Sequence, residues 1–148
     1  MEVQPDFKEL LELLNAHQVD YLIVGGYALA FHGAPRLTGD LDLFVPPDPE
    51  NAGRLLAALA GFGFGAAGLK PEDFQAPDQV VQLGFPPVRV DFLTSLTGVS
   101  WGEALAGRAG GRYGNVPVFY IGRGQLIANK RALGRPRDLA DLEALGET

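Results

Sequence analysis

Arg36-Leu37-Thr38-Gly39-Asp40-Leu41-Asp42-Leu43 sets two carboxylates one residue apart on an apolar run. Asp is depleted in strands, and strand alternation places both side chains on one face, roughly 6.5–7 Å apart at Cα. Like charges that close repel unless a cation sits between them, and a divalent metal ion is the commonest answer. Leu41, Leu43 and Val45 form a clean inward face, which fixes Asp40 and Asp42 together on the opposite one. Val88-Arg89-Val90-Asp91-Phe92-Leu93 repeats the pattern, with 88, 90 and 92 on one apolar face and Arg89 and Asp91 on the other. If these two strands are neighbours, three carboxylates converge on one open sheet face. Two divalent ions about 3.5–4 Å apart need that arrangement to activate an attacking oxygen and hold a leaving pyrophosphate. Oxygen-only ligands favour Mg²⁺ or Mn²⁺ over zinc.

A second candidate, Gly25-Gly26, precedes Asp40 by a gap of 13 residues and follows the apolar run Tyr21-Leu22-Ile23-Val24. A strand that ends in glycines and opens into a helix presents free backbone N–H groups to a phosphate, and glycine permits close approach. Isolated, such a pair is more often a plain strand-to-helix turn. A basic segment lies near the end of the sequence: Arg123, Lys130, Arg131, Arg135 and Arg137 without an acidic residue among them. Asp138, Asp141, Glu143 and Glu147 follow it with no basic residue. Asp138 also suits the first turn of a helix, where an acid stabilises the dipole by ~0.3–1 kcal/mol. His17 and His32 lack metal-ligand spacing, and neither Ser95 nor Ser100 sits in a nucleophile elbow.

The elements that must position these groups follow from periodicity and punctuation. Phe7, Leu10, Leu11 and Leu14 recur at helical spacing, predicting a helix over 5–17. Strands are expected at 21–24, 41–45, 80–85, 88–94 and 116–121, with a tight turn at Phe85-Pro86-Pro87 and a loop over 107–114. Helices are expected at 27–32, after Asp48-Pro49-Glu50, over 101–108, over 125–133, and from Pro136 with Leu139, Leu142 and Leu145 on one face. The mixed order predicts a single α+β domain over 1–148, with a mixed sheet of about five strands and helices mainly on one face.

Bulk properties set outer limits. The 148 residues are enough for one domain burying about 68–70% of its unfolded surface. Zero cysteines exclude disulfides, thiol nucleophiles and cysteine-ligated zinc. The acidic start, Met1-Glu2-Val3-Gln4-Pro5-Asp6, lacks a signal-peptide pattern, and the 15 uncharged residues Leu55–Leu69 include four glycines. The expectation is a cytoplasmic protein without a membrane partner. A net charge of −6 argues against an extended nucleic-acid-binding surface.

Val24-Gly25-Gly26, a 13-residue gap and Asp40-Leu41-Asp42-Leu43 together are similar to the signature of the polymerase-β-type nucleotidyltransferase superfamily. The Arg36-x-Thr38-x-Asp40-x-Asp42 form resembles its AbiEii-like branch of small nucleotidyltransferases associated with toxin–antitoxin systems. Pro87-Val-Arg89-Val-Asp91-Phe-Leu matches that branch, as does Leu126-Ile127-x-x-Lys130 continuing to Arg135-Pro136-Arg137-Asp138-Leu-x-Asp141-Leu. The resemblance implies an enzyme that moves NMP from an NTP to an acceptor hydroxyl and releases pyrophosphate. Asp40, Asp42 and Asp91 would be catalytic and hold two Mg²⁺ or Mn²⁺ ions. Gly25, Gly26, Arg36, Thr38 and Lys130 would bind the nucleotide, with Asp138 and Asp141 in support. The acceptor could be a partner protein, a tRNA end or a small molecule, within a toxin–antitoxin or phage-defence setting. The alternative is a non-catalytic antitoxin or interaction module that keeps the fold; Gly61-Phe62-Gly63-Phe64-Gly65 is a candidate apolar patch for it.

Overall fold

Tyr21-Leu22-Ile23-Val24 is apolar at every position, and its central strand is buried along its whole length. That strand organises the computed structural model, which describes residues 3–35, 39–62, 68–85 and 87–147. The chain runs α1 (Pro5–Ala16), β1 (Leu22–Val24), α2 (Gly25–Phe31), β2 (Asp40–Phe44), α3 (Pro49–Ala60), a 3₁₀ turn (Pro71–Phe74), β3 (Val80–Phe85), β4 (Val88–Leu93), α4 (Trp101–Ala106), β5 (Ala109–Tyr113), β6 (Val116–Tyr120), α5 (Arg123–Leu133) and α6 (Pro136–Ala144). The sheet order is β3-β4-β2-β1-β6-β5. The β1–β6 and β2–β4 pairs are parallel, and the other three are antiparallel. The sheet is therefore mixed, as an α+β reading requires.

Local signals explain most boundaries. Asp48 caps α3 by accepting from the Asn51 N–H at 3.3 Å, with Pro49 following it. Ser100 and Glu103 form a reciprocal capping box that starts α4. Gly134 ends α5 in the left-handed region, φ 62°. Phe7, Leu10, Leu11 and Leu14 of α1, Leu55 and Leu59 of α3, and Leu41, Leu43, Val90 and Phe92 of the sheet belong to one core.

Three expectations need correcting. The sheet has six strands rather than five, because 109–113 is not a loop: Ala109-Gly110-Gly111-Arg112-Tyr113 pairs with Val116–Tyr120. Its two glycines hid the strand, yet Gly111 is where a side chain would run into the stacked Phe31 and Tyr120 rings. Helices also flank both faces. Phe44 shares the Asp40/Asp42 face by alternation, and its ring meets Trp101 of α4 edge-on at 5.2 Å. Finally, Leu139 is 56% exposed, whereas Asp138, Asp141, Leu142 and Leu145 make the buried stripe of that last helical segment. The Pro86 turn position and residues 63–67 of the glycine-rich stretch lie outside the described residues; Phe62 is buried.

Candidate active site

Side-by-side pairing of β2 and β4 is what gathers the acidic groups. In register, Asp42 is opposite Asp91 and Asp40 is opposite Arg89. Partners across a ladder point to the same face, with strands about 4.8 Å apart. Leu41, Leu43, Val90 and Phe92 are fully buried, so alternation turns Asp40, Asp42, Arg89 and Asp91 to the other face. On the far side of β2, Val24 pairs with Asp42, and the chain turns at once into α2. Gly25 makes that turn at φ +69°, and a Cβ there would run into the Asp42 carboxylate. Glycine is required twice over, by backbone conformation and by space.

A cavity of about 480 Å³ opens over this face. Gly25, Gly26, Asp40, Asp42, Arg89, Asp91 and Lys130 line it, with Arg135 and Arg137 on the same wall. A larger hollow of about 590 Å³ lies elsewhere, bordered by Tyr21, Trp101, Leu105 and Phe119; its single carboxylate, Asp20, is 3.7 Å from Arg54. The clustered acids belong to the smaller cavity.

Electrostatics there are unbalanced around Asp42. Burial pushes its carboxyl pKa up to about 7, and the charges of Asp91 and Asp40 push the same way against Arg89 and Lys130. Arg89 is the local counter-ion. Its Nε and Nη2 donate to the two oxygens of Asp91, both at 3.1 Å, and its Nε lies 3.9 Å from Asp40. Those contacts hold the guanidinium firmly charged. With the side chains so arranged, no three acidic or histidine groups among the described residues stand close enough to hold a metal ion. The donor set itself is all carboxylate oxygen, suited to Mg²⁺ or Mn²⁺. The raised proton affinity of Asp42 marks a place where further positive charge would be welcome. The donor set is thus of the kind a divalent ion takes, while in this structure Arg89 holds Asp91.

Lys130 is buried at 6% exposure, not a solvated lysine. Its ammonium lies 3.0 Å from Asp141 and 3.4 Å from Asp138. Arg135 grips Asp138 through its Nε and Nη2 and through its own backbone N–H. The Arg135 hydrogen bonds outweigh burial and draw the Asp138 pKa down to about 2. Two cations and two carboxylates thus lock α5 to α6 and aim Lys130 at the cavity.

The structure accordingly brings Gly25, Gly26, Asp40, Asp42, Asp91 and Lys130 to one cavity, with Asp138 and Asp141 behind Lys130. Arg36 and Thr38 lie outside the described residues. Sequence reasoning noted Arg89 beside Asp91 without assigning it a part; an arginine two residues before a strand aspartate was the available signal. Ser95, Thr97, Asn129 and Leu133 also line the cavity, and nothing in their spacing pointed to them.

No family model matches the chain, and no curated protein matches it in sequence. Among solved structures it is similar to the crystal structure of a "putative nucleotidyltransferase" from Thermotoga maritima, at 12% identity and a TM-score of 0.63. The likeness covers 96% of this chain and 93% of that one, and establishes a common fold. Among the described residues no helix is long and apolar enough to cross a membrane.

Proposed function

We propose that the chain is a nucleotidyltransferase that moves NMP from an NTP to an acceptor hydroxyl with release of pyrophosphate. The observation that carries this reading is the in-register pairing of Asp42 with Asp91 beside Gly25, with Asp40 one pleat away. A neighbour of the same fold that bears a nucleotidyltransferase name supports it. Asp40, Asp42 and Asp91 would hold Mg²⁺ or Mn²⁺, which when bound offsets the triphosphate charge and raises the acidity of the acceptor hydroxyl. Gly25 and Gly26 would offer their backbone to the phosphate oxygens. Lys130, held between Asp138 and Asp141, presents a fixed positive charge to the phosphates. Arg89, once released from Asp91, can follow the charge of the departing pyrophosphate. Arg36 and Thr38 belong to the same proposal as nucleotide-binding residues. The acceptor is proposed as a partner protein, a tRNA end or a small molecule, and AbiEii-like toxin–antitoxin chemistry is the setting the motifs suggest.

A second reading has its own observation. Arg89 already neutralises Asp91, and no three ligand groups stand together as the side chains lie. That state suits a non-catalytic module that keeps the fold and acts by binding a partner. Thermal melting with NTP, with and without Mg²⁺, and release of pyrophosphate separate the two. Transfer predicts a melting shift that needs the metal, and pyrophosphate release that Asp42→Asn abolishes without lowering the melting temperature. An equal shift without metal would overturn the mechanism. Within the same assay, Lys130→Ala should weaken NTP binding tenfold or more at a temperature where it remains folded. Arg131→Ala, about 100° around the helix, should change it less than twofold.

A further inference from the structure

The two edges of the sheet are protected unequally. At one end, β5 carries Arg112 and two glycines among its five residues, a composition that resists strand addition. At the other end, β3 lies beside β4 alone among the described residues. No residue from 79 to 88 is charged, in a chain of net charge −6. On this strand Val80 is 58% exposed and Phe85 85%. Edge strands that stay single usually carry a charge, a proline or a bulge, and Val80-Val81-Gln82-Leu83 has none of these.

Hydrogen-bond parity decides what that edge offers. The Gln79 carbonyl accepts from the Thr94 N–H at 3.0 Å, so Gln79 turns its backbone toward β4. Backbone groups alternate sides along a strand, and the regular register makes Val81 and Leu83 the hydrogen-bonded partners of Phe92 and Val90. Val80 and Gln82 therefore point their N–H and C=O groups outward. Gly84, at φ +80°, takes the chain off the line of the strand and ends the usable stretch. Val81 and Leu83 pack against the core yet stay only partly buried, which leaves its flank open beside the free edge.

We infer that β3 is the interface between two copies of this chain, joined antiparallel about a two-fold axis at Val81. Val80 of each copy exchanges its backbone hydrogen bonds with Gln82 of the other. Val81 meets its own counterpart in the non-hydrogen-bonded position, where Cα atoms come about 4.5 Å apart and β-branched side chains pack together. That contact closes the open flank of each core. A second copy suits this edge because the pairing is self-complementary and opposes no like charges. A foreign strand would find no charge along 79–88 to select it. Gln82 is opposite Asp91 in the ladder, so the joined sheets carry both carboxylate clusters on one face, roughly 14–15 Å apart across the strands. The inference does not depend on the chemistry of those clusters.

The sequence has no cysteine, so introduced ones report contact cleanly. Under oxidised glutathione, the full chain with Val81→Cys should form an intermolecular disulfide tenfold or more faster than Leu139→Cys, an exposed position on α6. Val80→Cys should cross-link as slowly as Leu139→Cys, because its counterpart lies beyond the roughly 7 Å Cα limit for a disulfide. Sedimentation equilibrium of the unsubstituted chain should show twice the chain mass, with a dissociation constant below ~1 mM. Gln82→Pro deletes the outward N–H and leaves the β3–β4 ladder intact. It should weaken the dimer tenfold or more while its circular dichroism stays unchanged; should it misfold, the cysteine rates still decide. A chain that stays monomeric up to ~1 mM would overturn the second copy as occupant and leave the edge to a foreign strand. Equal cross-linking of Val81→Cys and Leu139→Cys, or a folded Gln82→Pro dimer of undiminished affinity, would overturn the interface.

Discussion

Burial and the neighbouring Asp91 and Asp40 raise the pKa of the Asp42 carboxyl to about 7. An unfolded chain would ionise the same group near the ordinary value of about 3.9. Native Asp42 therefore holds its proton where the unfolded state has lost it. The stability it contributes is complete below pH ~4 and is lost as pH rises toward 7, an effect on the order of 2–4 kcal/mol. Asp42→Asn mimics the protonated carboxyl and should match the parent at pH 4, then exceed it increasingly up to pH 7. Denaturant unfolding at several pH values measures the difference, and a constant gap across that window would contradict the assignment. Gly25→Ala should act on the same residue through space. Its Cβ enters the Asp42 carboxylate from a left-handed backbone position, so it should cost stability at every pH and also move the Asp42 titration.

Between elements, the α5–α6 corner depends on one buried charge cluster. Lys130 answers both Asp138 and Asp141, and all three are nearly closed to solvent. Asp138 keeps Arg135 when Lys130 is removed, but both buried carboxylates lose a cation, and breaking a buried pair costs about 3–5 kcal/mol. Lys130→Ala should therefore lower the unfolding free energy by about that amount, read as a lower urea midpoint with little change in slope. Arg131, exposed and 3.3 Å from Glu147, should cost under ~1 kcal/mol when replaced by alanine. Equal losses from the two variants would mean that the corner is held by diffuse charge instead of by a specific lock. The arrangement gives Lys130 a fixed position, which a lysine stem on an open surface lacks.

Over the whole molecule, β6 and β1 separate the edge strand β5 from β2 and β4, which carry the site carboxylates. Gly111 faces the Phe31–Tyr120 stack, whose rings lie 4.1 Å apart and nearly parallel. Gly111→Val should overpack that contact and cost ~1–3 kcal/mol. It should leave the Asp42 titration unchanged, since distant sites add independently. Nuclear magnetic resonance titration of the Asp42 carboxyl in this variant checks that separation.

By itself the sequence determined the strands and helices with clear periods and caps, and hence an α+β domain. Leu41, Leu43 and Val45 dictated which way Asp40 and Asp42 point, because side-chain alternation is a local property of the strand. The Asp48 cap and the Gly134 stop were likewise legible, being contacts within a few residues. Tertiary structure alone decided that β2 and β4 are parallel neighbours in the register that sets Asp42 against Asp91. It also decided that 109–113 pairs as a sixth strand despite its two glycines, and that Arg89 closes on Asp91. Lys130 became a buried, paired group only because α6 folds back across α5. The close seating of the 95–98 loop on α5 left no trace in spacing, since its parts lie about thirty residues apart and meet through one amide and one missing Cβ. Local periodicity encodes direction along an element, whereas adjacency between elements depends on how the whole core packs.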